Sequence, residues 1–221
     1  FQLGLTDMWE SASFKTCDTI ILEVNPRMPR VRGGLRINIR DVTVLTEVDY
    51  PPLVVADAET TEIEEKIGEN VAELVHDGDC IQLGIGSMPN AVGHHLMDKK
   101  DLGLHTEMFT SIMGDMIRKG VITGERKNYN KGLHIGCFAG GDLALYETLS
   151  TNRRCGFAQP LWRWIPAKFA KTTIWCPSTP SLKWISPDRY ARNPLVPSSS
   201  QEPAVRSALP MVRCTPRAAR A

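Results

Sequence analysis

No two of the six cysteines, Cys17, Cys80, Cys137, Cys155, Cys176 and Cys214, lie closer than 18 residues apart in this chain of 221. A zinc site wants closely spaced thiolates or a Cys/His cluster, and a disulfide framework belongs to small secreted chains, so both are disfavoured. Cys17, Cys80 and Cys137 sit in apolar runs and read as reduced core residues. No apolar run approaches the roughly 20 residues of a membrane helix, and the first residues lack the basic, apolar and small-residue order of a signal peptide. A cytoplasmic protein with no membrane partner is expected. With 42% hydrophobic and 23% charged residues, collagen-like and wholly disordered chains are excluded too. The opening FQLGLTDMWESASFKTCDTIILEVN starts in mid-pattern at Phe1, and the natural protein is expected to extend upstream.

The net charge of +1 conceals a break. Residues 1–150 hold 14 Lys plus Arg against 23 Asp plus Glu, whereas residues 151–221 hold 12 against 2. The tail also carries 10 of the 15 prolines and 4 of the 5 tryptophans, but only one of the 17 glycines, Gly156. Proline lacks the N–H and fixes φ, so a tail this rich in it is expected to be mostly irregular.

The acidic part alternates strand and helix. CDTIILEV (17–24) reads as a buried strand closed by Asn25-Pro26, and 37–50 as one or two short strands before Pro51-Pro52. TTEIEEKIGENVAELVHDG then puts Ile63, Ile67, Val71, Leu74 and Val75 on one helical face. Thr61 with Glu64 has capping-box spacing, and Gly78 is placed to end the helix. Next come DCIQLGIG as a strand, PNAVGHHLMDKK as a helix, LGLHTEMF as a strand, SIMGDMIRKG as a helix, LHIGCFAG as a strand and DLALYETLS as a helix. This spacing predicts an α/β fold with a mainly parallel sheet flanked by helices, its ligands at the carboxyl ends of the strands.

The informative junction is Gln82 to Val92, QLGIGSMPNAV, where a strand runs into Gly84 and Gly86 and a helix starts at Pro89. Glycine lets backbone approach a ligand closely, and the N–H groups opening the helix favour an anion or a developing oxyanion. Pro89 replaces the third glycine of a dinucleotide fingerprint, and the Gly-Lys-Ser/Thr ending of a Walker A loop is absent. His94 and His95 read as helix-surface residues, His105 as part of the strand-end hydrogen bonding, and no metal constellation emerges.

Four motifs, EVNPRMPR, QLGIGSMPNAV, KDLGLHTEMF and KGVITGERKNYNKG, occur in order within the span from about Thr6 to Ser150. Together they resemble the acetyl-CoA hydrolase/transferase family, whose members include 4-hydroxybutyrate CoA-transferase. The resemblance implies two related α/β domains of the CoA-transferase type with the active site between them. Residues 1–50 then correspond to the end of the first domain, 51–58 to a linker, 59–150 to the start of an incomplete second domain, and 151–221 to the irregular tail. It implies that Gly84, Gly86, Ser87 and Pro89 line the coenzyme A and acyl site, with Glu107 in a motif close to that cleft. It further implies an acyl-CoA thioester and a small carboxylate as substrates, no covalently bound cofactor, and a homodimer for the full-length protein. Nucleic acid is not an expected partner.

The family's reaction uses a glutamate nucleophile in a strand motif of the type S-I-N-x-x-I-E-V-D-L, which this chain lacks. Yet KTTIWCPSTPSLKWISPDRYARN, with its codons inferred and read from each third base, can spell NDNMVSINTVIEVDLTGQVCSE. PSSSQEPAV permits a QFSGTGGQ-like string in the same phase, and the shift works back to about Arg154-Cys155. The expectation is a change of reading frame near Arg154, the codons of Leu182 and Lys183 straddling that of the nucleophile. As written, the chain is expected to be inactive. Two alternatives stand beside transfer: hydrolysis of an acyl-CoA such as acetyl-CoA, and a non-catalytic chain whose basic tail, with Trp162, Trp164, Trp175 and Trp184, binds an acidic partner.

Overall fold

A computed structural model of the chain describes residues 1–158 apart from Trp9, together with the backbone of one strand at Trp175–Pro177. The short helix α1 (Glu10–Thr16) is followed by β1 (Ile21–Val24), β2 (Arg32–Gly33), a 3-10 turn at Ile39–Asp41 and β3 (Val44–Glu47). Then come α2 (Glu62–Glu73), β4 (Cys80–Gln82), α3 (Ser87–His95), β5 (Gly103–Leu104), β6 (Met108–Phe109), α4 (Ser111–Arg118), β7 (His134–Gly136), β8 (Phe138–Ala139), α5 (Leu143–Thr151), β9 (Cys155–Phe157) and β10 (Trp175–Pro177).

Every ladder between these strands is parallel. Two three-stranded pieces, β10-β4-β5 and β7-β9-β2, meet through the parallel bridge of His105 with Ile135, giving the order β10-β4-β5-β7-β9-β2. β6 and β8 carry the β5 and β7 lines onward past a break at 105–107 and Cys137. The core lies between sheet and helices: Ile81, Leu104 and Phe109 from the strands pack with Leu96, Met113, Met116, Leu145 and Leu149 from the helices. Phe109 and Phe157 meet there with ring centroids 6.1 Å apart. The fold class is thus the α/β, mainly parallel one that the alternation predicts.

Residues before Pro51 join this sheet directly. β2 pairs with β9, Val31 is buried in the core, and the N–H of Asp7 donates to Cys137 O at 2.8 Å.

Three local expectations change. The run 17–24 narrows to β1, which pairs only with β3 and leaves Ile21 68% exposed, because nothing in the described residues covers that two-stranded ribbon. α2 carries the expected capping box, but it buries Gly68 and Ala72, while Ile63 and Leu74 are 73% and 72% exposed. The cause is close packing: a Cβ on Gly68 would lie 2.9 Å from the carbonyl carbon of Ala91, so α3 sits where only glycine fits. α2 also ends at Glu73, with Leu74 as its C-cap, before Gly78. Of the cysteines read as reduced core residues, Cys80 and Cys137 are buried free thiols, whereas Cys17 is half-buried and disulfide-bonded. The tail expected to be irregular from 151 instead begins in order, because Cys155 and Phe157 are buried in the core on β9, paired with β7 and β2; beyond residue 158, β10 is the one stretch described, and the remaining expectations for 159–221, the frame-shifted motif among them, lie outside the described residues.

Candidate active site

β4 ends at Gln82, and its chain turns through Leu83, Gly84, Ile85 and Gly86 into α3 at the carboxyl edge of the sheet. Gly86 carries the conformational demand, with φ at 119° and ψ at −177°, a region that essentially only glycine occupies. A Cβ there would meet nothing within 4 Å among the described residues, so the requirement comes from the backbone and, among those residues, the space above it is open. α3 begins two residues earlier than the sequence suggests, at Ser87, which makes Pro89 its third residue. That position still lies in the first turn, where a proline forfeits no intrahelical bond. The first intrahelical bond runs from Asn90 N to Gly86 O at 3.3 Å, and by helix geometry the N–H groups of Ser87 and Met88 have no acceptor within α3. Gly86, as N-cap, supplies no side-chain cap.

Contacts from outside the turn fix it. The Ser87 hydroxyl donates to Glu64 Oε1, and the buried Asn90 side-chain amide donates to Asp57 Oδ1 at 3.4 Å. The Thr106 hydroxyl is placed to bond both Leu83 O, at 3.4 Å, and Met108 O, at 3.0 Å. Thr106 thus ties the glycine turn to the HTEMF segment. Glu107 follows at the break between β5 and β6, where its carbonyl oxygen accepts from Cys137 N at 2.8 Å and Phe138 N at 3.2 Å. Its side chain is exposed, yet partial loss of surrounding water raises its pKa.

Gly84, Gly86, Ser87 and Pro89 thus lie along the turn and the first turn of α3, and Thr106, the chain neighbour of Glu107, bonds to Leu83 at the start of that turn. The structure also shows residues that pattern reading did not single out. Cys137, beside Glu107, is pushed up to about 12 by burial and by the charges of Glu107 and Asp7. Asp7 is 2% exposed, its Oδ1 without a hydrogen-bond partner among the described residues, and its pKa is raised by burial and by Glu10. Lys127 is buried and donates to Leu104 O at 3.0 Å and Leu133 O at 2.7 Å, while the buried His134 nearby is lowered to about 4 by burial, then by the charges of Lys127 and Arg154. Thr106, buried beside a glycine-rich strand end, offered no periodic signal. Glu64 was visible only as a cap.

The histidines play lesser parts here: His94 is exposed, His95 Nε2 lies 2.9 Å from Glu65 Oε2, and His105 stacks on Tyr129 at 6.3 Å. Among the described residues no cluster of three or more His, Cys, Asp or Glu could hold a metal ion, and no helix is long and apolar enough to cross a membrane. Two surface hollows of about 370 and 430 Å³ lie away from the turn, beside Arg32 and Arg153 and beside Pro26 and Asp49.

No family model matches the chain. It is 36% identical over 154 residues to the succinyl-CoA:cyclohexane-1-carboxylate CoA transferase of Geobacter metallireducens, a match covering 70% of this chain and 35% of that protein. It is 35% identical over 161 residues to the butyryl-CoA:acetate CoA-transferase of Anaerostipes caccae, covering 70% of this chain and 36% of that one. The crystal structure of 4-hydroxybutyrate CoA-transferase from Porphyromonas gingivalis superimposes with a TM-score of 0.74 at 33% identity, over 80% of this chain and 45% of that one. The chain thus spans about a third of the length of these curated relatives, and over that stretch it is similar in sequence and fold to CoA-transferases.

Proposed function

We propose that the protein to which this stretch corresponds is an acyl-CoA:carboxylate CoA-transferase, with the turn from Gly84 to Pro89 holding the thioester end of coenzyme A. The observation that carries this reading is the glycine-only backbone at Gly86 beneath space open among the described residues, at the carboxyl edge of a parallel sheet, in a turn whose Leu83 is bonded by Thr106, the residue before Glu107. The relatives' activities support it.

In this reading a glutamate carboxylate attacks the thioester carbonyl, the C–S bond breaks, and a mixed anhydride forms with release of the coenzyme A thiolate. That thiolate attacks the glutamyl carbonyl and expels the original acyl group as its carboxylate. The acceptor carboxylate then attacks the glutamyl-CoA thioester, and a second thiolate attack on the new anhydride returns the glutamate and yields the new acyl-CoA. Covalent catalysis divides a hard exchange into easier steps, and backbone N–H groups at the start of α3 suit the oxyanion of each addition. In this reading the N–H groups of Ser87 and Met88 are the donors, and Glu107 borders the acyl group.

The nucleophile is absent from the chain as written, and we attribute this to a change of reading frame. Cys155 and Phe157, fully or nearly buried in the core, favour a change downstream of the Phe157 codon rather than at Arg154. β10 lies beside β4, with Pro177 level with Gln82, at the edge from which the glycine turn departs. The glutamate codon straddled by those of Leu182 and Lys183 follows that strand within a few positions. Resequencing the gene from the Asn152 codon to the Lys171 codon tests this: a base gained or lost in that interval is expected, and an intact frame in independent reads overturns it. Transfer of coenzyme A from acetyl-CoA to 4-hydroxybutyrate, succinate or propionate by an in-frame, full-length protein tests the activity, with hydrolysis to free coenzyme A as the outcome that favours a hydrolase.

A further inference from the structure

The glycine turn opens a helix that has no cap of its own, since Gly86 offers no side chain to the first N–H groups of α3. Its restraint comes from the neighbouring helix. Glu64 uses one carboxylate oxygen, Oε2, to accept from the Thr61 N–H and the Thr61 hydroxyl, both at 2.9 Å, while its own N–H donates to Thr61 Oγ1 at 3.3 Å. The other oxygen, Oε1, accepts from the hydroxyl of Ser87, the first residue of α3. One carboxylate therefore closes the start of α2 and grips the start of α3.

The two helices are already held in register further along. A Cβ on Gly68 would come within 3.0 Å of the Ala91 carbonyl group, and Glu65 pairs with His95 at 2.9 Å. A carboxylate on so rigid a platform loses little freedom in making its bonds, and a fixed supporting shell keeps a reacting site within its productive geometry. Hydrogen bonds from Ser87 and Thr61 also hold the Glu64 pKa below the usual carboxylate range, which keeps both oxygens acceptors through neutral pH.

We infer that Glu64 is a positioning residue: through Ser87 it holds the Gly84–Ser87 turn in the conformation that receives the coenzyme A thioester. This rests on the ligand reading given above for the turn, which it deepens by naming what sets the turn's shape. Hydrogen exchange and calorimetry on the full chain test the two parts separately. Glu64→Ala and Ser87→Ala should each speed amide exchange in a peptide covering Gly84–Met88 at least tenfold while peptides from β5 and α4 keep their rates. Thr61→Ala, which removes the cap of α2 but leaves the Ser87 bond, should leave the turn within twofold of wild type. Coenzyme A titrated into the chain should bind at least tenfold more weakly to Glu64→Ala than to wild type.

Unchanged exchange in Glu64→Ala, or an equal rise in the turn, β5 and α4, overturns the inference. A loosened turn with undiminished coenzyme A affinity overturns it as well, since the grip would then serve only packing. Failure of the wild-type chain to bind coenzyme A overturns the ligand reading instead, while the exchange rates still decide whether Glu64 holds the turn.

Discussion

Substituting Gly86 by alanine isolates the feature on which the site depends. Among the described residues the new methyl group would meet nothing within 4 Å, so the expected effect comes from forcing a residue with a Cβ to φ 119°, ψ −177°. Residues in such regions cost about 1–3 kcal/mol each. For a domain of roughly 150 residues this lowers the thermal midpoint by roughly 2–12 °C. Two controls bracket the reasoning. Gly120→Ala also adds a methyl into open space, but at φ 76°, near the ordinary left-handed region, and should cost about 1 kcal/mol. Gly93→Ala acts sterically, because its Cβ would lie 2.5 Å from Ile112 Cγ1, and overpacking of this kind costs about 1–3 kcal/mol. Urea unfolding followed by tryptophan fluorescence, with the slope checked for constancy, reads all three. The reasoning is refuted if Gly86→Ala unfolds within about 0.3 kcal/mol of wild type, a margin well inside the strain cost expected here.

Other consequences follow from buried groups. His134 is held neutral down to about 4, whereas the unfolded side chain titrates near 6.5, so between those values only the unfolded state takes up the proton. Stability is therefore full above pH 6.5 and falls by an amount on the order of 3 kcal/mol as pH drops toward 4; His134→Gln should flatten that slope in urea titrations at pH 4.5 and 7. Lys127→Met leaves the carbonyls of Leu104 and Leu133 without their ammonium and should cost about 2–4 kcal/mol in the same assay, while a loss below 0.5 kcal/mol would discount the bonds. The thiols of Cys137 and Cys155, both pushed up to about 12, should resist iodoacetamide at pH 8 until urea unfolds the chain; labelling of either in the native state would show that it is not buried as described.

Much of this architecture was legible in local pattern. The Thr61–Glu64 capping box needed only neighbours in sequence, and the strand-to-helix turn at Gly84–Gly86 announced itself through its glycines. What pattern could not give depends on partners far along the chain. Gly68 is buried because Ala91 lies against it, which turns Ile63 and Leu74 outward against their periodicity. The pairing of Arg32 with Gly156 joins segments over a hundred residues apart, and two-residue strands carry no alternation to read. The candidate residues were found through a resemblance in four motifs, whereas Thr106 and the second role of Glu64 emerged only from hydrogen bonds to another element.

The most direct measurement is the mass of an in-frame, full-length protein after incubation with acetyl-CoA and removal of free ligand. A covalent coenzyme A adduct is expected on one glutamate, in the peptide encoded across the codons of Leu182 and Lys183, and it should disappear when acetate is added. Unmodified protein under conditions that saturate binding would contradict the assignment of this stretch to a glutamyl-CoA transferase.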